Sequence, residues 1–277
     1  MMPRARRLGV RWTVGDVSAH GYDALRLSIW GARRLFGDRA RYTVCVNSVP
    51  VGEARRRTGG VPRRVRWRAV GRRDIPGVVA ARLDAAMAEG MGWKFAPVRL
   101  YADRHELALD NDCILWEMPA AMARWLELED ACLVAEDVRA LFGQFSHLCG
   151  DGARNLGIRG TPPAFDLEGA LGAVLERNPV TLASELDEQG LQVAALSLAG
   201  APCVVSVDDV TICSPFWPHR PEPGRCGAHF VGLNARALPW EHDGRPAIET
   251  RHEHWLARRA EIAERVGAPR SPRVALR

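Results

Sequence analysis

Asp110 and Asp112 stand one residue apart where a short apolar run, Glu106-Leu-Ala-Leu109, ends. More apolar residues, Cys113-Ile-Leu115, follow at once. Carboxylates at the end of a buried strand are costly unless a positive group meets them. A divalent cation is the usual answer where a phosphate ligand is also expected. The chain has sixteen aspartates in 277 residues, so about one Asp-x-Asp triplet arises by composition alone. The weight of this pair therefore rests on its surroundings. It closes a predicted strand, and open α/β sheets place their ligands at the carboxyl ends of strands. Lys94, the only lysine in an arginine-rich chain, lies shortly before it. On this segment alone, a loop carrying two solvated carboxylates is an equal reading.

Other residues have chemical potential of their own. Asp187-Glu188-Gln189 offers two carboxylates at the start of a predicted helix, where an aspartate also serves as a cap and a glutamate suits the first turn. His229 falls in the apolar run Ala228 to Leu233, where an isolated histidine is more often a core residue than a ligand. Tyr22 opens a helix and could belong to its buried face.

The elements that must carry these groups follow from periodicity. Leu8 to Val14 reads as a strand, Tyr22 to Phe36 as a helix stopped by Gly37-Asp38, Arg41 to Val46 as a strand and Val65 to Val70 as another. This is a βαβ unit, which implies a parallel sheet. The basic segment Glu53 to Arg64 reads as an exposed connection. Trp93 to Asp103 is predicted helical with Pro97 in its first turn. Glu106 to Leu109, Ala131 to Ala135, Cys203 to Val207, Val210 to Cys213 and Ala228 to Leu233 are predicted strands. Met118 to Leu128, Asp166 to Arg177, Glu188 to Leu198 and His252 to Val266 are predicted helices. A single domain over 1–277 is expected, with a tail at 267–277.

Composition is that of an ordinary globular protein, 47% hydrophobic and 26% charged, with a net charge of +5. A solvated basic surface is the plain account of that excess; affinity for an anion such as a nucleotide is the sharper one. Seven cysteines, an odd number without a Cys-x-x-Cys pair, suggest free thiols in a reducing compartment. The basic N-terminus lacks the apolar core of a secretion signal and no stretch has the length of a membrane span. A cytoplasmic location is expected, with peripheral membrane association left open and no nucleic-acid partner.

Lys94-Phe-Ala-Pro-Val-Arg-Leu-Tyr101, followed by Glu106-Leu-Ala-Leu-Asp-Asn-Asp-Cys-Ile-Leu115, resembles the core of nucleotide-sugar-dependent glycosyltransferases of the GT-A fold. Within them it is most similar to the glycogenin and galactosyltransferase-like group, the family 8-like enzymes. Three more segments carry the resemblance in the same order: Thr13 to Ser28, the pair of Asn155-Leu-Gly-Ile and Asp187 to Gln192, and Gly227-Ala-His-Phe-Val-Gly-Leu-Asn234. The resemblance implies an α/β fold with a Rossmann-like, mostly parallel central sheet flanked by helices. It implies a nucleotide-binding half near 8–116 and a sugar and acceptor half near 117–266. Asp110, Asp112 and His229 become metal ligands, for Mn²⁺ or Mg²⁺. Gly15 and Asp16 would line the nucleotide pocket, with Tyr22 stacking on the base. Lys94, Asn111, Asn155 and Gly232 join them as substrate-binding residues, and Asp187, Glu188 and Gln189 form the catalytic set. The implied reaction moves a hexose from a nucleotide-diphosphate sugar, UDP foremost, to an unspecified acceptor with retention. One departure stands out. The family often carries a lysine soon after the glycine that corresponds to Gly232; here Asn234 and Arg236 follow instead. Two rival readings are a sugar-nucleotide-forming nucleotidyltransferase and a non-catalytic module binding an acidic partner through 53–73. The first normally has a Gly-rich, Arg- or Lys-bearing loop after its first strand, which Gly15 to Gly21 lacks.

Overall fold

The computed structural model describes residues 7–85 and 91–269. Strands β1 (Leu8–Val14), β2 (Arg41–Val46), β3 (Val65–Ala69) and β4 (His105–Leu109) run parallel in the order β3-β2-β1-β4. The sheet continues through β7 (Arg154–Thr161) to β6 (Leu133–Glu136) and β8 (Cys203–Val205). Only β7 is antiparallel to its neighbours, so the seven-stranded sheet is mostly parallel, as expected. A smaller sheet, β5 (Cys113–Leu115), β10 (Gly227–His229) and β9 (Val210–Ile212), packs beside it. A two-residue pair, β11 (Glu241–His242) and β12 (Arg245–Pro246), stands apart.

Strands buried on both faces read as continuous apolar runs, and β1 is buried along almost its whole length. Helix α1 (Ala19–Phe36) starts at Ser18, whose Oγ accepts from the Gly21 amide. Ser28 Oγ accepts from Trp12 Nε1 and donates to the Cys113 carbonyl, so one hydroxyl ties β1, α1 and β5 together. Further helices among the described residues are α2 (Val51–Thr58), α3 (Gly77–Ala80), α4 (Ala120–Glu127), α5 (Leu167–Arg177), α6 (Glu185–Ser197) and α7 (Ala247–Arg265). No described helix is long and apolar enough to cross a membrane. The seven cysteines are free.

Several expectations are corrected. The basic connection is not a loop: 51–58 is helix α2, which buries only Ala54 and Thr58 and leaves its arginines outside. The edge strand β3 likewise exposes Arg66 and Arg68, a charge pattern that discourages pairing with another chain. The segment from Trp93 to Asp103 is not helical beyond a 3₁₀ turn at Met91–Phe95. Strand β10 stops at His229, where Val231 turns back to donate to the His229 carbonyl. Among the elements not anticipated are β5 and the eight-residue β7, with the short α3, β11 and β12 beside them. Residues 270–277 of the expected tail lie outside the described residues.

Candidate metal and nucleotide site

A cavity of about 870 Å³ opens at the carboxyl ends of the parallel strands. Gly15 and Asp16 follow β1, Asn47 and Ser48 follow β2, and Asp110 to Asp112 follow β4; all line it. This is where a mostly parallel sheet exposes loop backbone and strand-end side chains to a ligand. From the other side come Asn155 and Arg159 of β7, Glu188, Gln189 and Gln192 of α6, and His229 with Gly232.

The loop after β4 is fixed by its backbone. Asp110 N donates to Gly157 O and Cys113 N to Asp110 O. Cys113 pairs with His229 across β5 and β10, and Phe230 N donates to Asp112 O at 2.9 Å. The small sheet thereby delivers the histidine to the aspartates. His229 Nε2 lies 3.3 Å from Asp112 Oδ1 and 3.6 Å from Asp110 Oδ2. Gly157 makes this possible, because a Cβ there would sit 2.5 Å from His229 Nδ1.

Asp112 is 3% exposed and His229 5%. Asp112 Oδ1 is buried without an aligned hydrogen-bond donor, and Oδ2 receives only Asn234 Nδ2, at 3.5 Å. Burial disfavours a charged His229, but Asp112 and Asp110 outweigh it and raise its pKa. The three ligand atoms lie within 4.8 Å of one another. Two atoms about 2.2 Å from a common ion can be at most about 4.4 Å apart, so the two histidine distances already suit a divalent cation. Two carboxylates, one of them with an orphaned buried oxygen, and one imidazole fit such an ion.

Lys94 Nζ donates to Asp110 Oδ2 at 3.1 Å and lies 3.8 Å from Glu188 Oε2. Burial opposes its charge, yet Asp110, Glu188 and Asp112 together raise its pKa. Arg11 holds the turn that presents it, donating to the Pro97 and Lys94 carbonyls and pairing with Glu106 at 3.3 Å, both side chains 2% exposed. Behind Lys94, Glu188 accepts from Gln192 Nε2, and Gln192 Oε1 accepts from Arg159. Burial pushes the Glu188 carboxyl up to about 7, against the pull of Lys94 and Arg159.

Eleven of the thirteen sequence-predicted site residues line this cavity: Gly15, Asp16, Lys94, Asp110, Asn111, Asp112, Asn155, Glu188, Gln189, His229 and Gly232. Tyr22 and Asp187 do not. Tyr22 is fully buried in the core, with its hydroxyl donating to Gly15 O at 2.6 Å, so no base can stack on its ring. Asp187 is the third residue of α6, in a capping box with Ser184. Its carboxylate accepts from the amides of Ala183, Ser184 and Gln144 and from Gln144 Nε2.

The late glycine segment is also clarified. Gly232 has φ +77°, and the guanidinium of Arg251 from α7 lies against its Cα, where a side chain would otherwise stand. Arg236 is already engaged with Asp16, as is Arg57. Asn111 and Asn234 bond each other reciprocally and lock this loop to the one after β4. Arg159, Gln192, Asp137 and His219 line the cavity without having been anticipated. A hint for Arg159 was present in the Asn155-Leu-Gly-Ile segment, which continues directly into it.

No protein-family model matches this sequence, and no curated protein does. Solved structures do. A galactosyltransferase, LgtC, in complex with donor and acceptor sugar analogues, aligns at a TM-score of 0.51 and 13% identity, covering 96% of this chain and 98% of that one. Mouse xyloside xylosyltransferase 1, in its apo form, aligns at a TM-score of 0.56 and 10% identity, covering 84% and 100%. At such identities the likeness establishes the fold: this chain has the GT-A fold of those glycosyltransferases, as its sequence motifs implied.

Proposed function

We propose that this chain is a metal-dependent glycosyltransferase that moves a hexose from a nucleotide-diphosphate sugar, UDP foremost, to an acceptor hydroxyl. The observation that carries the reading is the convergence of Asp110 and Asp112, from the loop after β4, with His229 of β10 on one largely buried, under-bonded point of a GT-A cavity. Their mixed oxygen and nitrogen donors suit Mn²⁺ better than Ca²⁺, with Mg²⁺ the alternative. When bound, such a cation supplies neutralisation of the charge that builds on a departing diphosphate.

The chain's own residues divide the remaining work. Gly15 and Asp16 border the nucleotide end, where Tyr22 supports the Gly15 carbonyl from the core. Lys94 is a flexible cation beside Asp110, suited to a phosphate or the donor sugar. Asn111 holds its loop, and Asn155 ties the start of β7 to Asp137 and to the Gly157 amide. Glu188 and Gln189 stand at the sugar and acceptor end, and Asp187 positions them by capping α6. Retention of configuration is part of the proposal, supported by the resemblance alone. The halves near 8–116 and 117–266 then act as donor and acceptor walls of one cavity.

The test is a thermal-shift screen of UDP, GDP and their sugars with and without Mn²⁺. A ligand that binds only the native state raises the melting temperature. A Mn²⁺-dependent rise with UDP is expected; no Mn²⁺-dependent rise with any nucleotide would remove the donor assignment.

A further inference from the structure

We propose that Trp217 is an acceptor platform, a surface on which a pyranose ring of a carbohydrate acceptor stacks as it enters the cavity. The proposal rests on the glycosyltransferase reading and adds the chemical class of the acceptor. Trp217 is 83% exposed, the most exposed of the large hydrophobic side chains described. Two segments that line the cavity meet at it. Arg139, whose guanidinium lies over the Trp217 ring at 4.7 Å, falls between the lining residues Asp137 and Leu141. Trp217 itself is two residues from His219, another lining residue. Leu141, 46% exposed, accepts through its carbonyl from Gln189 Nε2, so this rim adjoins the residue proposed above for the acceptor end of the cavity.

The chemistry of the rim selects the occupant. One face of the indole is covered by Arg139, which orients it. The neighbouring Phe216 is locked against Trp240 and His242, with ring centroids 4.5 and 5.1 Å away, so the segment carrying Trp217 is anchored. A flat aromatic face beside the Arg139 guanidinium, on segments that also carry the lining residues His219 and Asp137, suits a ring with apolar C–H faces and hydroxyl edges. A lipid chain would need a continuous aliphatic surface, which these polar neighbours interrupt.

Saturation-transfer NMR tests this on the full chain with UDP and Mg²⁺ present, using lactose and the methyl glycosides of glucose, galactose and xylose as probes, with a decyl glucoside as the lipid-like control. Sugar ring protons of at least one probe should receive saturation. The apparent affinity should fall about 3- to 10-fold in Trp217→Ala and be largely kept in Trp217→Phe. The nucleotide thermal shift, measured on the same samples, reads the donor site separately and reports folding. A normal nucleotide shift with sugar binding unaffected by Trp217→Ala would overturn the platform. So would saturation confined to the decyl chain, or no sugar binding by a wild-type protein that shows the nucleotide shift.

Discussion

Asp112 and Asp187 are equally buried, each 3% exposed, and their surroundings are opposites. Asp187 accepts four hydrogen bonds, three from backbone amides, and stands in a capping box at the start of α6. Asp112 has one oxygen with no aligned donor and another with a single 3.5 Å partner, beside His229 and Asp110. A buried carboxylate that the fold has already satisfied supports structure. One that the fold leaves short of donors has its stabilising partner elsewhere, and two carboxylates with an imidazole define that partner as a cation.

The largest effect should come from Asp112→Asn, which keeps the shape and removes the charge. Glycosyl transfer should fall by roughly 10²–10³-fold, the scale for removing one preorganised electrostatic contact. Stability without metal should hold or rise, since an under-bonded buried charge is lost. Gly157→Ala comes next. Its new Cβ would press on the His229 ring, lowering Mn²⁺ affinity by about 10-fold or more, which metal titration would read. Asp187→Ala should show the reverse pattern to Asp112→Asn: a loss of about 1–2 kcal/mol in urea unfolding at pH 7, from the broken cap.

The pH dependence sharpens the contrast. Burial alone would raise the Asp187 pKa, but the amides of Gln144 and Ala183 and the side chains of Gln144 and Ser184 hold it below the usual value. Its contribution is therefore present above about pH 4 and lost as the pH falls through the depressed value. The gap between wild type and Asp187→Ala should shrink in acid. Glu188, one residue on, has the opposite sign. Its folded value of about 7 lies above the unfolded one, so its charge costs stability above pH 7 and nothing below about pH 4. Glu188→Gln should gain stability at pH 8 and match wild type at pH 4; unfolding curves at the two pH values check this smallest effect.

The same contrast explains what could be read from the sequence. Strands β1, β2 and β4 announce themselves because each is buried along most of its length and built around an apolar stretch, ending in Leu107-Ala-Leu109 for β4. Asp110 and Asp112 were legible because charge interrupts that pattern. Strand β7 was not, because Asn155 and Arg159 face a cavity that no local pattern reveals. Helix α2 hid behind its arginines, having only Ala54 and Thr58 to bury. The role of Tyr22 depended on whether α1 turns it to the core or the cavity, and packing against the core decides it. Arg236 follows the late glycine where the family often carries a lysine, but Asp16, more than two hundred residues earlier, takes its guanidinium.

The most direct measurement is Mn²⁺ binding followed by electron paramagnetic resonance, in the presence of UDP, for wild type and Asp112→Asn. The wild type should bind a single Mn²⁺ and the variant should lose that signal, with the fold retained by circular dichroism. Equal Mn²⁺ binding by the two proteins would contradict the assignment of Asp112, and with it the metal site on which the proposed reaction depends.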